Sequence, residues 1–161
     1  MPNQPHDSWA SVYDEVYIQS FGSFYTMLTK VSLEVIQEKT KLGSDILDIG
    51  AGTGRLSIPL VQSGYCLCAV DASAKMLEVL EKKDVSRQIK TVHCPVQKLD
   101  LNLKFDTVLC VFSVFCYLTE LEELRAAMSL TDLAGNNANV LHINPRECST
   151  AGGAGGSYKS D

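Results

Sequence analysis

The sequence predicts an α/β fold, namely a doubly wound parallel sheet of about five strands in the order 3-2-1-4-5 with helices on both faces. Short apolar runs alternate along the chain with segments whose apolar residues recur at helical spacing, as they do when buried strands alternate with amphipathic helices. The first apolar run, residues 46–49, ends in three closely spaced glycines, which is typical of a strand that leads into a ligand-binding turn. A ligand crevice is therefore expected beside this strand, where the strand order reverses.

Length and composition are those of one globular domain. The chain has 161 residues, of which 45% are hydrophobic and 20% are charged, and its net charge is −5. Lysines and arginines are scattered and form no basic stripe, so a nucleic acid partner is disfavoured. Prolines and charged residues interrupt the N-terminal region, which contains neither an apolar signal core nor a membrane span. We therefore expect no membrane association and a cytoplasmic location.

The residue pattern divides the chain into three segments. These are an N-terminal helical cap over residues 1–43, a sheet-forming core over 44–148 and a flexible glycine-rich tail over 149–161. Within the cap, Trp9, Tyr13 and Tyr17 fall at helical spacing. A second helical pattern follows and is expected to stop at Gly43. Two helices should therefore precede the first strand.

The loop after the first strand, called the glycine loop here, contains Gly50, Gly52 and Gly54. Glycines at this spacing let the backbone turn tightly where side chains would collide with a ligand. We expect the backbone N–H groups of the loop to be free to donate. Thr53 is expected to cap the helix that follows, so that a ligand of phosphate or nucleoside size would lie against a helix N-terminus.

The second strand favours a nucleoside ligand. It is expected over residues 65–70 and is followed by Asp71, which lies 71 − 50 = 21 positions after Gly50. An acidic residue about 20 positions after the first glycine is typical of proteins that bind ribose hydroxyls. The third glycine of a dinucleotide fingerprint would stand where Arg55 does, so the pattern here is G-x-G-x-G. A nicotinamide-dependent oxidoreductase is therefore the weaker alternative.

Helices and strands continue to alternate through the core. Pro59 is expected to shorten or kink the helix after the glycine loop, and Ser73 is expected to cap the next helix. Further strands are expected over residues 89–94, 105–112 and 139–143. A capping box that begins at Thr119 predicts a helix before the last strand, and the Gly-Asn-Asn sequence at 135–137 predicts a turn.

The sequence has no pattern typical of a metal site or of acid–base catalysis. Its six cysteines include no C-x-x-C pair, and Cys94 next to His93 is the only adjacent Cys-His pair. We expect the cysteines to be small apolar core residues and no metal ion to be bound. His6 and His93 can titrate, but each also fits a surface or packing role, so no catalytic base is identified.

Two motifs resemble those of the class I S-adenosylmethionine-dependent methyltransferases. The first is Leu47-Asp-Ile-Gly-Ala-Gly-Thr-Gly-Arg55, and the second is Val70-Asp-Ala-Ser-Ala-Lys-Met-Leu77. The resemblance covers residues 9 to about 143. It implies a Rossmann-like fold, S-adenosylmethionine as the cofactor, and methyl transfer to a small-molecule acceptor by direct displacement at the sulfonium methyl carbon.

The resemblance also implies which residues form the site. The methionine and ribose parts of the cofactor would be contacted by Asp48, Gly50, Ala51, Gly52 and Gly54. Asp71 would hold the ribose hydroxyls. The adenine would be flanked by Ala72, Ser73, Met76 and Val96. Val111 and Phe112 would face the methionine end of the cofactor, and the candidates on the acceptor side are Tyr13, Tyr17 and Ser113.

In this family a segment like Trp9–Asp14, with the helix after it, often closes over the cofactor, and the resemblance implies that role here. Tyr13 and Tyr17 fit this role and simple coverage of the sheet equally well. Coverage of the sheet alone is expected for Phe21, Phe24 and Leu28.

The chain departs from the family's pattern in two places. Pro95 stands where relatives commonly carry an acidic residue that binds the adenine amino group, so adenine recognition is expected to rest on backbone groups around Val96 and Gln97. The family's final antiparallel hairpin has no counterpart, which would leave the strand over 139–143 at the sheet edge. We therefore expect weaker turnover than the motifs suggest, and we expect the exposed edge to be met by self-association, by a partner or by local fraying. The alternative function is an S-adenosylmethionine-binding regulator or an inactive fragment.

Overall fold

The computed structural model describes residues 4–101, 103–111 and 134–143. Its strands are β1 (Asp45–Ile49), β2 (Cys66–Asp71), β3 (Ile89–His93), β4 (Phe105–Val111) and β5 (Ala134–Ile143). Its helices are α1 (Tyr13–Lys39), α2 (Ser57–Gln62) and α3 (Ala74–Lys83), with short 3-10 helices at Asp7–Val12 and Val96–Lys98. The strands form one parallel sheet in the order β3-β2-β1-β4-β5. The predicted fold class and strand order are thereby confirmed.

β1 lies at the centre of the sheet, and its alternating side chains belong to a different apolar cluster on each face. Ile46 is fully buried in one cluster with Ile36 of α1 and Leu60 of α2. Leu47, one position along, is buried in the opposite cluster with Val108 of β4. Because both faces of β1 are packed, the start of the glycine loop has a fixed position.

Each described α-helix contributes to the cluster around Ile46. The opposite cluster is closed by the 3-10 helix at Val96–Lys98 and by the loop after it. The connection between β4 and β5, over residues 112–133, lies outside the described residues. The helix predicted from Thr119 falls within that range.

α1 is interrupted at Gly22, whose φ of 50° and ψ of −127° are not helical. Glycine adopts this conformation readily, whereas residues with a side chain rarely do. Residues on both sides of the break, from Tyr13 to Leu28, line the space over the carboxyl ends of the strands, and the later part of α1, around Ile36, packs on the sheet. The two predicted helices are therefore a 3-10 helix followed by a broken α-helix, which ends at Lys39 rather than at Gly43.

Pro59 occupies the third position of α2, a helix of six residues. The N–H groups of the first helical turn have no partner within the helix, so a proline there removes no hydrogen bond. The expectation that Pro59 interrupts a helix interior is therefore wrong. α3 begins as predicted, because the Ser73 side chain accepts a hydrogen bond from the N–H of Met76 at 3.1 Å.

β5 begins earlier than predicted, so residues 135–137 lie within the strand and form no separate turn. Phe105 pairs with Ala134, whereas Thr107 pairs with Asn139, so two steps along β4 correspond to five along β5. This irregular pairing lets residues 135–137, which by themselves favour a turn, remain within the strand.

None of the described helices combines the length and the apolar character that a membrane span requires. Cys68 and Cys110 are buried free thiols, in agreement with a role as small core residues, while the free thiol of Cys66 is exposed. Within the described ranges, no group of three or more His, Cys, Asp or Glu side chains is arranged to hold a metal ion.

Candidate functional site

A cavity of about 500 Å³ opens at the carboxyl ends of β1, β2 and β4. β1 lies between β2 and β4, so the cavity stands where the strand order reverses, which is where sheets of this kind bind ligands. Its walls come from the glycine loop, the residues after β2 and β3, the end of β4, and residues 13–28 of α1. The volume falls in the range of roughly 300–1,000 Å³ that is usual for small-molecule sites.

The glycine loop is tied to β2 through its own backbone. The N–H groups of Gly50 and Ala51 both donate to the carbonyl oxygen of Val70, at 2.8 and 3.0 Å. The N–H of Gly52 donates to Asp71 Oδ2 at 2.8 Å. The expectation that these N–H groups are free to bind a ligand is therefore wrong. They instead make the loop rigid and orient the Asp71 carboxylate.

The glycines of the loop have different roles. A Cβ atom on Gly52 would meet no other atom within 4 Å, and this residue lines the open cavity. A Cβ atom on Gly54 would lie 2.8 Å from Leu80 Cγ and 3.1 Å from Ile58 Cγ1. Gly54 therefore lets the loop pack closely on α2 and α3. Gly54 is not among the residues that line the cavity, and its contact with the cofactor stays a prediction.

Asp48 also lies behind the cavity wall. Its side chain is 3% exposed and accepts a hydrogen bond from Ser57 Oγ at 2.5 Å. Burial is the main cause that raises the pKa of Asp48 to about 6, and repulsion from Asp71 acts in the same direction. Asp48 thus supports the start of α2 beneath the glycine loop and is not among the residues that line the cavity, so its contact with the cofactor stays a prediction.

Asp71 ends β2 and lines the cavity. Its Oδ2 accepts from the N–H of Gly52 and its Oδ1 from the N–H of Ser73, both at 2.8 Å. Because each carboxylate oxygen can accept more than one hydrogen bond, both can also accept from a bound hydroxyl. Burial raises the pKa of Asp71, while these two backbone hydrogen bonds lower it. Asp71 is therefore an oriented acceptor suited to the two hydroxyls of a ribose.

Most of the other predicted residues also line the cavity. These are Gly50, Ala51, Ala72, Ser73, Met76, Val96 and Val111. Phe112 and Ser113 lie outside the described residues. After β3 the wall is formed by Cys94, Pro95, Val96 and Gln97, so the place of the family's acidic residue is apolar, as the sequence indicates.

An aromatic wall lines the cavity from α1 and consists of Tyr13, Tyr17, Phe21, Phe24 and Tyr25. The rings of Tyr13 and Tyr17 stack with their centroids 4.5 Å apart, and the Tyr17 and Phe21 centroids are 5.4 Å apart. Phe21, Phe24 and Leu28 were expected only to cover the sheet, which is wrong because each lines the cavity. Phe21 keeps 53% of its surface exposed, so the wall offers apolar surface to a ligand.

Aspartates of the cap fasten it to the core. Asp7 accepts a hydrogen bond from Ser73 Oγ at 2.5 Å. Asp14 accepts from Thr53 Oγ1 at 2.8 Å and pairs with Lys83 Nζ. We call the group formed by Asp14, Thr53 and Lys83 the latch. Thr53 therefore holds the cap and does not cap α2, contrary to the prediction.

Arg55 and the chain before the first 3-10 helix were not among the predicted site residues. Arg55 lines the cavity, and its guanidinium carbon lies 4.3 Å from the centroid of the Tyr25 ring. Its position directly after the glycine loop was an available signal. The start of the described chain contributes Gln4, Pro5 and His6 to the cavity, and no motif marks these residues.

Comparisons with known proteins agree on one family. A family model described as a methyltransferase domain matches residues 46–132. Cypemycin N-terminal methyltransferase from Streptomyces sp. is 33% identical over 121 residues, which cover 73% of this chain and 49% of that protein. Glycine/sarcosine N-methyltransferase from Halorhodospira halochloris is 27% identical over 146 residues, covering 87% of this chain and 51% of that protein. The chain thus spans about half the length of these curated relatives.

Solved structures share the fold. DesVI from Streptomyces venezuelae matches with a TM-score of 0.68 and 24% identity over 83% of this chain and 56% of that one. The glycopeptide N-methyltransferase MtfA in complex with S-adenosylmethionine matches with a TM-score of 0.61 and 20% identity, over 71% of this chain and 53% of that one. The family model, the curated relatives and the Rossmann-like sheet together show that this chain belongs to the class I S-adenosylmethionine-dependent methyltransferases, whose cofactor is S-adenosylmethionine.

Proposed function

We propose that this chain contains the cofactor-binding part of an enzyme that transfers a methyl group from S-adenosylmethionine to a small-molecule acceptor. The observation that supports this most strongly is the placement of Asp71, Gly52 and the aromatic wall around one cavity. The cofactor fits this site in two respects. Asp71 offers oriented acceptors to a ribose, and the space beside Gly52 is open where any side chain would intrude.

We assign the cavity residues to parts of the cofactor. Asp71 would bind the ribose hydroxyls. The adenine would lie against Ala72, Ser73, Met76 and Val96, and the methionine portion along Gly50, Ala51 and Gly52. Val111, with Phe112, would flank the methyl-bearing end. On the acceptor side we place Tyr13, Tyr17 and Ser113.

When bound, S-adenosylmethionine supplies an electrophilic methyl group on a sulfonium centre. Direct displacement requires a nucleophile in line with that group, so the protein's contribution is to orient both reactants and to exclude water. The aromatic wall and the latch suit these two tasks, because the first gives an apolar contact surface and the second holds the cap over the cavity. We assign no catalytic base.

Nitrogen is the acceptor atom that we propose. Curated relatives include enzymes named as an N-terminal methyltransferase and as glycine/sarcosine N-methyltransferases, and a protein named as a glycopeptide N-methyltransferase shares the fold. A neutral amine is itself a nucleophile and needs no base to remove a proton before attack. After transfer, the aromatic wall could contact the resulting ammonium group through cation–π interactions.

Incubation of the purified chain with methyl-labelled S-adenosylmethionine and a cell extract tests activity and acceptor class together. We expect label on a low-mass amine, and much less label with the Asp71→Ala variant. Label on a protein or an RNA would change the acceptor class. A chain that binds the cofactor but labels nothing would instead support the regulator or inactive-fragment alternative.

A further inference from the structure

Few polar side chains line the cavity where it meets the ends of β2 and β3. The described residues that line it there, beyond Asp71, are Ala72, Ser73, Met76 and residues 94–97. Three of their side chains can donate a hydrogen bond, and these belong to a serine, a cysteine and a glutamine. Asp71 carries the one carboxylate among all the described residues that line the cavity. A nucleobase at this place therefore meets no second carboxylate from the described part of the chain.

The serine and the cysteine are engaged within the protein. Ser73 Oγ donates to Asp7 at 2.5 Å and accepts from the N–H of Met76 at 3.1 Å. Cys94 Sγ donates to the carbonyl oxygen of the next residue at 3.4 Å. Gln97 is the third, and its amide has two N–H donors and an oxygen with two lone pairs. A hydrogen bond within the protein occupies one of these positions and leaves others for a base.

The backbone fixes the position of Gln97. This residue is the middle one of the 3-10 helix Val96–Lys98. Val96 is 8% exposed and packs in the apolar cluster on that face of the sheet. At the end of β3, the N–H of Cys94 donates to the carbonyl oxygen of Asp71 at 3.0 Å, which ties this segment to β2. Gln97 therefore follows a buried residue in a turn that is anchored to the sheet, and its side chain lines the cavity from there.

We propose that the Gln97 amide contacts the edge of the nucleobase, and that the site therefore accepts a 6-oxopurine in place of adenine. This inference rests on the proposed function, in which the adenine lies against Val96, the residue before Gln97. Adenine presents an amino donor at C6 and an acceptor at N1, whereas hypoxanthine presents an oxygen acceptor at C6 and an N–H donor at N1. An amide can match either base, because half a turn about its last bond exchanges its oxygen and its nitrogen.

A carboxylate at the same position would discriminate between the two bases. An ionised carboxylate only accepts hydrogen bonds, so it pairs with the amino group of adenine and repels the C6 oxygen of hypoxanthine. Two acceptors that face each other are left without a donor, which corresponds to a loss of affinity of about fivefold or more. Gln97→Glu keeps the length of the side chain and changes its chemistry in this way. The substitution should therefore create a preference for adenine that the parent lacks.

Two nucleosides that differ only in the base edge at C6 and N1 test the inference. S-adenosylhomocysteine carries the amino group at C6, and S-inosylhomocysteine carries an oxygen there. Titration calorimetry of the parent should give dissociation constants that differ by less than about fivefold. In Gln97→Glu their ratio should rise by at least about fivefold in favour of S-adenosylhomocysteine. Lys98→Met is the matched control and should keep the parent's ratio, because Lys98 belongs to the same 3-10 helix but is not among the residues that line the cavity.

Gln97→Leu tests whether the amide contacts the base at all. It removes the donors and the acceptor together, so it should bind both nucleosides at least about threefold more weakly than the parent. This variant and the parent's ratio decide the matter if circular dichroism shows that Gln97→Glu is unfolded.

Three results would each overturn the inference. They are a parent that prefers one nucleoside by more than about fivefold, a folded Gln97→Glu variant whose ratio rises by less than about fivefold, and parent-like binding of both nucleosides by Gln97→Leu. A parent that binds S-adenosylhomocysteine but not S-inosylhomocysteine overturns this inference alone. A parent that binds neither nucleoside would overturn the proposed function itself.

Discussion

At the scale of single residues, the Asp71 carboxylate is held by the N–H groups of Gly52 and Ser73 at 2.8 Å each. These bonds fix the direction in which its remaining lone pairs point. A ligand that donates two hydroxyl groups therefore meets an acceptor that is already oriented, and little conformational entropy is lost on binding. The side chain is partly buried, so the hydrogen bonds form where water competes less.

Replacing Asp71 tests whether its carboxylate binds the ribose hydroxyls. Asp71→Ala should weaken the binding of S-adenosylhomocysteine by about 1.5–3 kcal/mol, the range for hydrogen bonds to a charged group. Titration calorimetry measures the change. Asp100→Ala, which removes an exposed carboxylate, is the control and should bind as the parent does. Unchanged affinity in a folded Asp71→Ala variant would remove Asp71 from the ribose site.

Sequence patterns predicted the placement of some site residues better than others. Asp71 and the Ser73 cap could be predicted because each follows from its spacing to a nearby strand or helix. The same patterns cannot distinguish a residue in front of the cavity wall from one behind it. Gly54 and Asp48 both belong to the motif, yet Gly54 packs close to Leu80 and Asp48 accepts a hydrogen bond from Ser57 behind the wall.

At the scale of helices and strands, the latch connects the cap to the glycine loop and to α3. Lys83 Nζ pairs with Asp14 and also donates to the carbonyl oxygen of Thr53 at 2.9 Å. Gly22 interrupts α1 after this contact, so the latch holds the part of α1 that precedes the break.

Lys83→Met should loosen the cap without disturbing the sheet. Because the pair is partly exposed, we expect only about a twofold to fivefold loss of affinity for S-adenosylhomocysteine. Hydrogen exchange should become faster over residues 7–21 and stay unchanged in β1 and β2. Lys82→Met removes the neighbouring positive charge in the same helical turn and is the control. Equal exchange in the two variants would show that the latch does not hold the cap.

The latch, the aromatic wall and the start of β5 depend on contacts between distant parts of the chain, so local sequence patterns do not predict them. Asp14 and Lys83 are separated by 69 positions, and no local pattern indicates that they meet. Phe21 and Phe24 have the spacing of an ordinary sheet-covering helix, yet both line the cavity, one on each side of the break at Gly22. Similarly, the Gly-Asn-Asn sequence at 135–137 favours a turn locally, but pairing with β4 draws it into a strand.

At the scale of the whole molecule, the buried carboxylate of Asp48 links stability to pH. Its pKa rises from 3.8 to about 6 in the folded chain, so the folded state binds more protons than the unfolded state between these values. The stability that this group contributes is fully present below pH 3.8 and is lost as the pH rises through about 6. A shift of about two pKa units corresponds to roughly 3 kcal/mol. Asp71, whose pKa is also raised, acts in the same direction.

Urea unfolding between pH 4.5 and pH 8 tests this linkage. Asp48→Asn cannot ionise at this position, so its free energy of unfolding should fall less between about pH 4.5 and pH 7 than that of the parent. Asp100→Asn, at an exposed site, should keep the parent's pH dependence. A pH profile of Asp48→Asn that coincides with the parent's would contradict the burial of an ionisable Asp48.

Sheet topology was predictable because strand and helix periodicities alternate regularly and because parallel crossovers are right-handed. The cavity position follows from that topology, since β1 stands between β2 and β4. The cavity walls were less predictable, because they depend on where α1 and the residues before it settle over the strand ends. A resemblance at the motifs indicates the cofactor, but it does not determine the packing of the cap.

The central claim is that the cavity beside Asp71 and Gly52 binds S-adenosylmethionine and not a dinucleotide. Calorimetric titration of the parent chain with S-adenosylhomocysteine, in the absence and presence of NADH, tests this most directly. We predict one binding event that NADH leaves unchanged and that is lost in a folded Gly52→Val variant, whose β-branched side chain would occupy the ligand space. Competition by NADH at comparable affinity, or undiminished binding by Gly52→Val, would contradict the claim.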